Sequence, residues 1–474
     1  MAERIDADLC IIGAGSAGLS VAAGAVQMGA RTVLIERGLM GGDCLNFGCV
    51  PSKSLLAAAK AATAWRAAAP FGIEANPPRI DWIGVRAHVA AVIASIAPHD
   101  SVERFEGLGV RVIHSEARFT GPDELVAGGA SVHARRFVIA TGSEPLVPPI
   151  PGLEGVPFLT NETIFALDTL PLHLLVLGGG PVGCELAQAF RRLGSEVTLV
   201  EMVRLLPKDD EEAASLVRAS LLADGVSLIE GGRAIRAEMA EDEIMLAVAR
   251  DGSEERVFGS HLLVAVGRKP VLEGLGLEAA GVAADKTGIR VDGRLRTSNR
   301  RIYAAGDVTG GPQFTHMASH HASIVIRNAL FRMPATVERR AVPWVTYTDP
   351  ELAQVGLTEA SARSQAKRFT CLRSGYDESD RARAERAGQG FVKVLASPRG
   401  TVLGATIVGR GAGELILPWV LAMQNGLGLK SMAQMLAPYP TFGEIGKRAA
   451  GSFFAPRLFS PGTRRLVRLL QRLP

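Results

Sequence analysis

Long uncharged apolar runs are missing from this chain. The stretch LILPWVLAM, Leu415 to Met423, is far shorter than the roughly 20 residues a membrane-spanning helix needs. The opening MAERIDADLC has no signal-peptide core, and Glu3, Asp6 and Asp8 argue against a transit peptide. Cytoplasmic placement is therefore expected. Cysteine is scarce, with five in 474 residues, which excludes the disulfide framework of a small secreted protein. Charge of one sign is not concentrated either. The net charge is +4, the 52 Lys and Arg are spread widely, and no nucleic-acid motif accompanies them, so no nucleic-acid partner is expected. Histidine is absent after His321.

What is present is glycine in a repeated pattern. Residues 9–18 read LCIIGAGSAG, an apolar run followed by Gly13, Gly15 and Gly18 in G-x-G-x-x-G spacing, and the next apolar strand, TVLIE, ends in Glu36. The run fits a buried parallel strand, the glycines let backbone approach a pyrophosphate, and the terminal acid suits a ribose diol. The pattern returns as LLVLGGGPVGCELA with Gly178, Gly180 and Gly183, then VTLVE ending in Glu201. A single such motif is weak evidence, but two copies with matching strands and acids indicate two dinucleotide-binding folds.

Between the glycines and acid of the first copy and the rest of its fold lies GGDCLNFGCVPSK, Gly41 to Lys53, with Cys44 and Cys49 five positions apart. On a regular helix that spacing separates Cα atoms by roughly 8–9 Å, beyond the limit of about 7 Å for a disulfide. A bridge therefore needs a bent first turn, which Gly48 and Pro51 permit. So small a loop staples little, which favours reversible redox chemistry. Two zinc ligands and an adventitious pair are the alternatives, the first without a second ligand pair at metal-site spacing. Cys10, Cys184 and Cys371 are expected to pack. His316 and His320 stand at metal-ligand spacing, but they follow Asp307 in a stretch expected to form a packed helix, and no metal is assigned.

Taken in order, these motifs resemble the class I pyridine nucleotide-disulfide oxidoreductases, the family of lipoamide dehydrogenase, glutathione reductase and mercuric reductase. The likeness also includes ATGS at Ala140 to Ser143, AVGRKP at Ala265 to Pro270, AAGDV at Ala304 to Val308, TYTDPELAQVG at Thr346 to Gly356 and YPTFGE at Tyr439 to Glu444. It implies an α/β enzyme with two Rossmann-like domains and a C-terminal α/β dimerisation domain, working as a homodimer. The expected divisions are 1–150 for FAD, 151–270 for the nicotinamide, 271–338 as an FAD-return segment and 339–474 for dimerisation. By the same resemblance Gly13, Gly15, Gly18, Glu36, Ala117, Gly142, Asp307 and Thr315 hold FAD. Lys53 sits by the flavin and pairs with Glu185, while Gly178, Gly180, Gly183, Glu201 and Gly267 serve the nicotinamide cofactor. The implied electron route runs from that cofactor to the flavin, then to a Cys44–Cys49 disulfide, with Cys49 as the flavin-side thiolate and Cys44 as the thiol that meets the acceptor.

Two choices remain for the sequence to inform. Glu201 repels a 2′-phosphate and favours NADH, whereas Arg204, three residues on, is the group that could favour NADPH. Where thiol-specific members carry a histidine before Pro-Thr, paired with a glutamate five residues later, this chain has Tyr439, with Glu444 kept. An ordinary tyrosine, with a pKa near 10, is a poor proton shuttle at neutral pH. Mercuric reductases resemble this chain in that tyrosine and in ELAQAFRRLG, Glu185 to Gly194. They also bring metal through adjacent C-terminal cysteines, and here the last cysteine is Cys371. The expected activity is thus NAD(P)H-dependent and mercuric reductase-like, delivering electrons to a small acceptor such as a metal ion, quinone or disulfide. Dihydrolipoamide dehydrogenase is the alternative. A different class of reading is a redox-sensing flavoprotein docking to a membrane partner through the tail LFSPGTRRLVRLLQRLP, whose arginines and leucines otherwise suit a terminal helix packed on its own subunit.

Overall fold

A computed structural model describes residues 3–473. The chain forms two compact units. One consists of residues up to Gly178 with Ala189–Met202 and Gly231–Val337; the other consists of Gly179–Gln188, Val203–Glu230 and the residues from Glu338 onward.

The first unit is built on parallel strands, as the apolar runs predict. Glu3–Ile12 lies at the centre of a seven-stranded sheet, with Thr32–Glu36 on one side and Ala130–Ile139 on the other, both parallel to it. Ile302–Ala304 adds a further parallel strand against Ala130–Ile139. The antiparallel part is a meander of Ala117–Phe119, Glu124–Ala127 and Ala130–Ile139. Its tightest turn is Gly128-Gly129, at φ +56° and +79°, the left-handed backbone a two-residue hairpin demands. Leu9, Cys10 and Ile11 are fully buried, so this strand is apolar on both faces. Helix Ser16–Gln27 covers one face through Ala17, Leu19, Val21, Ala22 and Ala25.

A second parallel set in this unit joins Phe158–Leu159, His261–Val264, His173–Leu177 and Glu196–Glu201. Beside it runs an antiparallel sheet of Arg233–Ala240, Glu243–Arg250 and Ser253–Gly259. The strand pair Ser143–Pro145 and Arg268–Pro270 links the loops that follow the two folds.

The second unit has a five-stranded antiparallel sheet in the order Pro343–Thr346, Glu351–Gly356, Val402–Gly409, Phe391–Ala396, Thr370–Gly375. Its core gathers Trp419, Tyr376, Val394, Ile407 and Ile445. Within it Lys393 and Asp210, the cap of helix Glu211–Asp224, form a buried ion pair at 2.8 Å. The last helix, Pro461–Leu470, departs from the expectation of a terminal helix packed on its own subunit. Leu466, Val467, Leu469 and Leu470 are exposed, as are its arginines. Among the described residues no helix is long and apolar enough to cross a membrane.

Candidate active site

The first glycine loop shows why these positions carry no side chain. At Gly13, φ +102°, an added Cβ lies 2.4 Å from the Ala140 carbonyl oxygen; at Gly18 it lies 1.8 Å from the Gly13 oxygen. Both glycines let helix Ser16–Gln27 and the Ala140 loop close on the strand. Gly15 has a different role. Its Cβ meets nothing nearer than Gly42 Cα at 4.0 Å, and as the helix cap it offers no side chain to the first-turn N–H groups. Such a start is a cradle for a phosphate. Glu36 ends its strand with one carboxylate oxygen accepting the Ala14 N–H at 2.5 Å and the other accepting the Gly38 N–H at 2.7 Å.

The other residues expected around this loop spread over the same unit. Ala117 is buried at the start of its strand, and Gly142, φ +71°, faces open space on its Cβ side. Asp307, on the short turn Gly306–Thr309, accepts the Ser143 hydroxyl at 2.7 Å, while burial pushes its carboxyl pKa upward. Thr315 is the first residue of helix Thr315–Ala329. On that helix buried His321 accepts the Gly306 N–H at Nδ1, at 3.1 Å, while His316 stacks on Phe314.

The cysteine segment is bent as its spacing requires. Gly41 and Gly42, φ +86° and +59°, open a short helix, Gly42–Asn46, that carries Cys44. The chain then breaks at Phe47 and Gly48 before helix Cys49–Thr63 begins. Both sulfurs are free thiols, with Cys44 half-buried and Cys49 exposed. They are electrostatically unequal. Hydrogen bonding to Cys44 lowers the Cys49 pKa to about 6, helped by the Thr315 hydroxyl, 3.3 Å from Cys49 Sγ, and by the Lys53 charge one turn along the helix. Partial desolvation of the sulfur by its surroundings and the Asp43 carboxylate oppose this. Cys44 is pushed strongly the other way by the same partnership and by its own burial. These effects favour negative charge at Cys49 over Cys44.

The second glycine loop repeats the first at its opening. A Cβ on Gly178, φ +113°, lies 2.5 Å from the Ala265 oxygen, as that on Gly13 meets Ala140. Gly142 and Gly267 follow those two alanines at the same distance in sequence, and both have positive φ and open space on the Cβ side. Gly180 also faces open space, and Gly183 is buried in helix Pro181–Leu193. Glu201 closes strand Glu196–Glu201. Arg204 is fully engaged by backbone. Its Nη1 donates to the carbonyls of Leu205 and Leu206, both at 3.2 Å, and its Nη2 to those of Pro207 and Asp209, both at 3.1 Å. Glu185 is buried and accepts the Tyr347 N–H at 2.8 Å.

At the position of the family histidine, Tyr439 is exposed and its hydroxyl donates to Asp380 Oδ2 at 3.0 Å. That bond and the Asp380 charge raise the phenol pKa further above its ordinary value. Glu444, in the first turn of helix Gly443–Ser452, accepts the Thr441 N–H at 3.3 Å.

The family described as pyridine nucleotide-disulphide oxidoreductase matches residues 7–322, and its dimerisation domain matches residues 342–450. This chain belongs to that family. A mercuric reductase of Streptomyces lividans is 39% identical over 457 residues, covering 94% of this chain and 96% of the relative. A dihydrolipoyl dehydrogenase of Thermus scotoductus is 37% identical over 459 residues, covering 92% and 95%. Among solved structures, the HOCl-induced flavoprotein disulfide reductase RclA of Escherichia coli superposes with a TM-score of 0.84 at 28% identity, covering 94% of this chain and 99% of that one. LpdA of Mycobacterium tuberculosis gives 0.86 at 28% identity, covering 97% and 100%.

The protein is thus an enzyme, a flavoprotein disulfide oxidoreductase. Membership implies FAD and NAD(P)H, and the matched dimerisation domain supports a homodimer. The open side of Gly15 and the helix start it caps fit a dinucleotide pyrophosphate. Three residues of this pyridine nucleotide-disulphide oxidoreductase site lie inside the sequence motifs, yet nothing in the motifs gives them a role. Asp43 stands beside Cys44, Ser143 binds Asp307, and Arg268 binds both Ser143 and Asp43. Asn161, which bonds Asp43 and the Phe47 carbonyl, lay outside every motif.

Proposed function

We propose that this enzyme moves two electrons from NADH through Cys44 and Cys49 to a small oxidant, with the acceptor range of a mercuric reductase-like enzyme. The observation that carries the reading is the unequal thiol pair, a lowered Cys49 beside a raised Cys44, with Thr315 and Lys53 favouring charge on Cys49. When bound, FAD supplies the two-electron relay between the nicotinamide and this pair. Two electrons and one proton open a Cys44–Cys49 disulfide to a Cys44 thiol and a Cys49 thiolate. The thiolate needs no proton, and Cys44 retains the one that arrives.

Residues beyond the pair narrow the choice of partners. Arg204, with its guanidinium committed to four carbonyls, is not poised to receive a 2′-phosphate, which supports NADH. Tyr439, tied to Asp380 and raised in pKa, is a poor acid or base for thiol exchange near neutrality, which argues against dihydrolipoamide. A soft metal ion takes up no proton on reduction and needs no such shuttle. The Cu(II) complex described for RclA is consistent with a metal as oxidant.

The test is anaerobic reduction with NADH and NADPH in parallel, followed by turnover with lipoamide, glutathione disulfide, Hg(II), Cu(II) and quinones. Faster flavin reduction by NADH, with a metal ion or quinone outpacing both disulfides, is expected. Rapid dihydrolipoamide turnover at neutral pH overturns the reading of Tyr439.

A further inference from the structure

We propose that Arg268 is a positioning residue of the redox centre: it ties the cysteine turn to Ser143 and Asp307, and it pairs with the carboxylate of Asp43, the residue before Cys44. The inference rests on the reading of Cys44 and Cys49 as the redox pair and adds the group that holds and balances it.

The geometry is a fork with three destinations. Arg268 begins the short strand Arg268–Pro270, which runs antiparallel to Ser143–Pro145. Its side chain is only 20% exposed. Nε donates to the Ser143 hydroxyl at 2.7 Å, and Nη2 to the Ser143 carbonyl at 2.8 Å. Nη2 also meets Asp43 Oδ1 at 3.0 Å, and Nη1 donates to Asn161 Oδ1 at 3.2 Å. Asn161 in turn donates to Asp43 Oδ1 at 2.9 Å and to the Phe47 carbonyl at 3.2 Å, while the Ser143 hydroxyl donates its own hydrogen bond to Asp307. The cysteine turn is thus gripped at Asp43 and at Phe47. Only a planar guanidinium places donors along all three directions at once; an ammonium has a single charged point.

Asp43 makes the charge consequential. It precedes Cys44, and its other oxygen lies against Gly48, the residue before Cys49: a Cβ there would approach Asp43 Oδ2 to 2.8 Å. The groups acting on Cys49 are Cys44, Thr315, Lys53 and Asp43, and of these only Asp43 disfavours the thiolate. Arg268 and Asp43 likewise act in opposite senses on Asp307 and on Glu162, where Arg37 sides with Arg268 and Glu144 with Asp43. Removing Arg268 leaves the Asp43 charge unbalanced beside the sulfurs and frees the turn. The Cys49 thiolate then becomes harder to form.

The test measures iodoacetamide alkylation of Cys49 against pH in dithiothreitol-reduced protein, with mass spectrometry to assign the site. Arg268→Gln is expected to raise the midpoint by about one pH unit, which lowers the rate at pH 6 about fivefold. Arg268→Lys should fall between it and the wild type, and Asp43→Asn combined with Arg268→Gln should return toward the wild-type midpoint. A folded Arg268→Gln protein with the wild-type midpoint overturns the proposal. Should that variant fail to fold, Asp43→Asn alone decides: the midpoint must fall, and an unchanged one overturns the proposal equally. Because the profile uses chemically reduced thiols, it is independent of turnover. Loss of electron transfer in Cys49→Ser tests the underlying reading separately.

Discussion

Two sulfurs of the same residue type acquire opposite acidities within one turn and a break of chain. Cys49 gains hydrogen bonds and a nearby lysine charge; Cys44 faces the negative charge that results. The sign of the pH dependence follows. Cys49 is lowered from an ordinary value near 9 to about 6, so its thiolate is present above about 6 and is lost as pH falls through it. Across that window the folded reduced protein holds fewer protons than the unfolded chain, and its stability rises with pH. We expect alkylation of the wild-type reduced protein to show one fast thiol with a midpoint near 6. A single midpoint in the ordinary thiol range for both residues contradicts this. The cysteine pair was legible in the sequence because its spacing and flanking glycines are themselves informative. Arg268 and Asn161 were not, since their roles arise from hydrogen bonds between segments more than a hundred residues apart.

At the scale of elements, the strand–glycine–helix units were the most legible part of the chain. Apolar run, glycine spacing and terminal acid are local signals, and both copies open with the same contact between a glycine and an alanine carbonyl. Gly13→Ala places a side chain in left-handed backbone and against the Ala140 oxygen, and strain of these two kinds costs about 1–3 kcal/mol each. Chemical denaturation should show a loss of that order together with weaker FAD retention; a variant as stable as the wild type removes the close-approach argument. The C-terminal helix was half legible. Its amphipathic period is plain in the sequence, but packing depends on a complementary face, and its leucines are exposed. Tyr439 shows the same limit: its type was informative at once, its bond to Asp380 only in the fold.

For the whole molecule, the family match spans both units and the α/β class agrees with the motifs read along the chain. The molecule's function turns on whether reducing equivalents from a nicotinamide reach the thiols. The most direct measurement is anaerobic titration of the FAD-loaded enzyme with NADH, with alkylated cysteines counted by mass before and after. The account predicts that Cys44 and Cys49, and no other cysteine, change from unreactive to alkylated as NADH is consumed. NADH consumption and flavin bleaching with those two residues unchanged would contradict it.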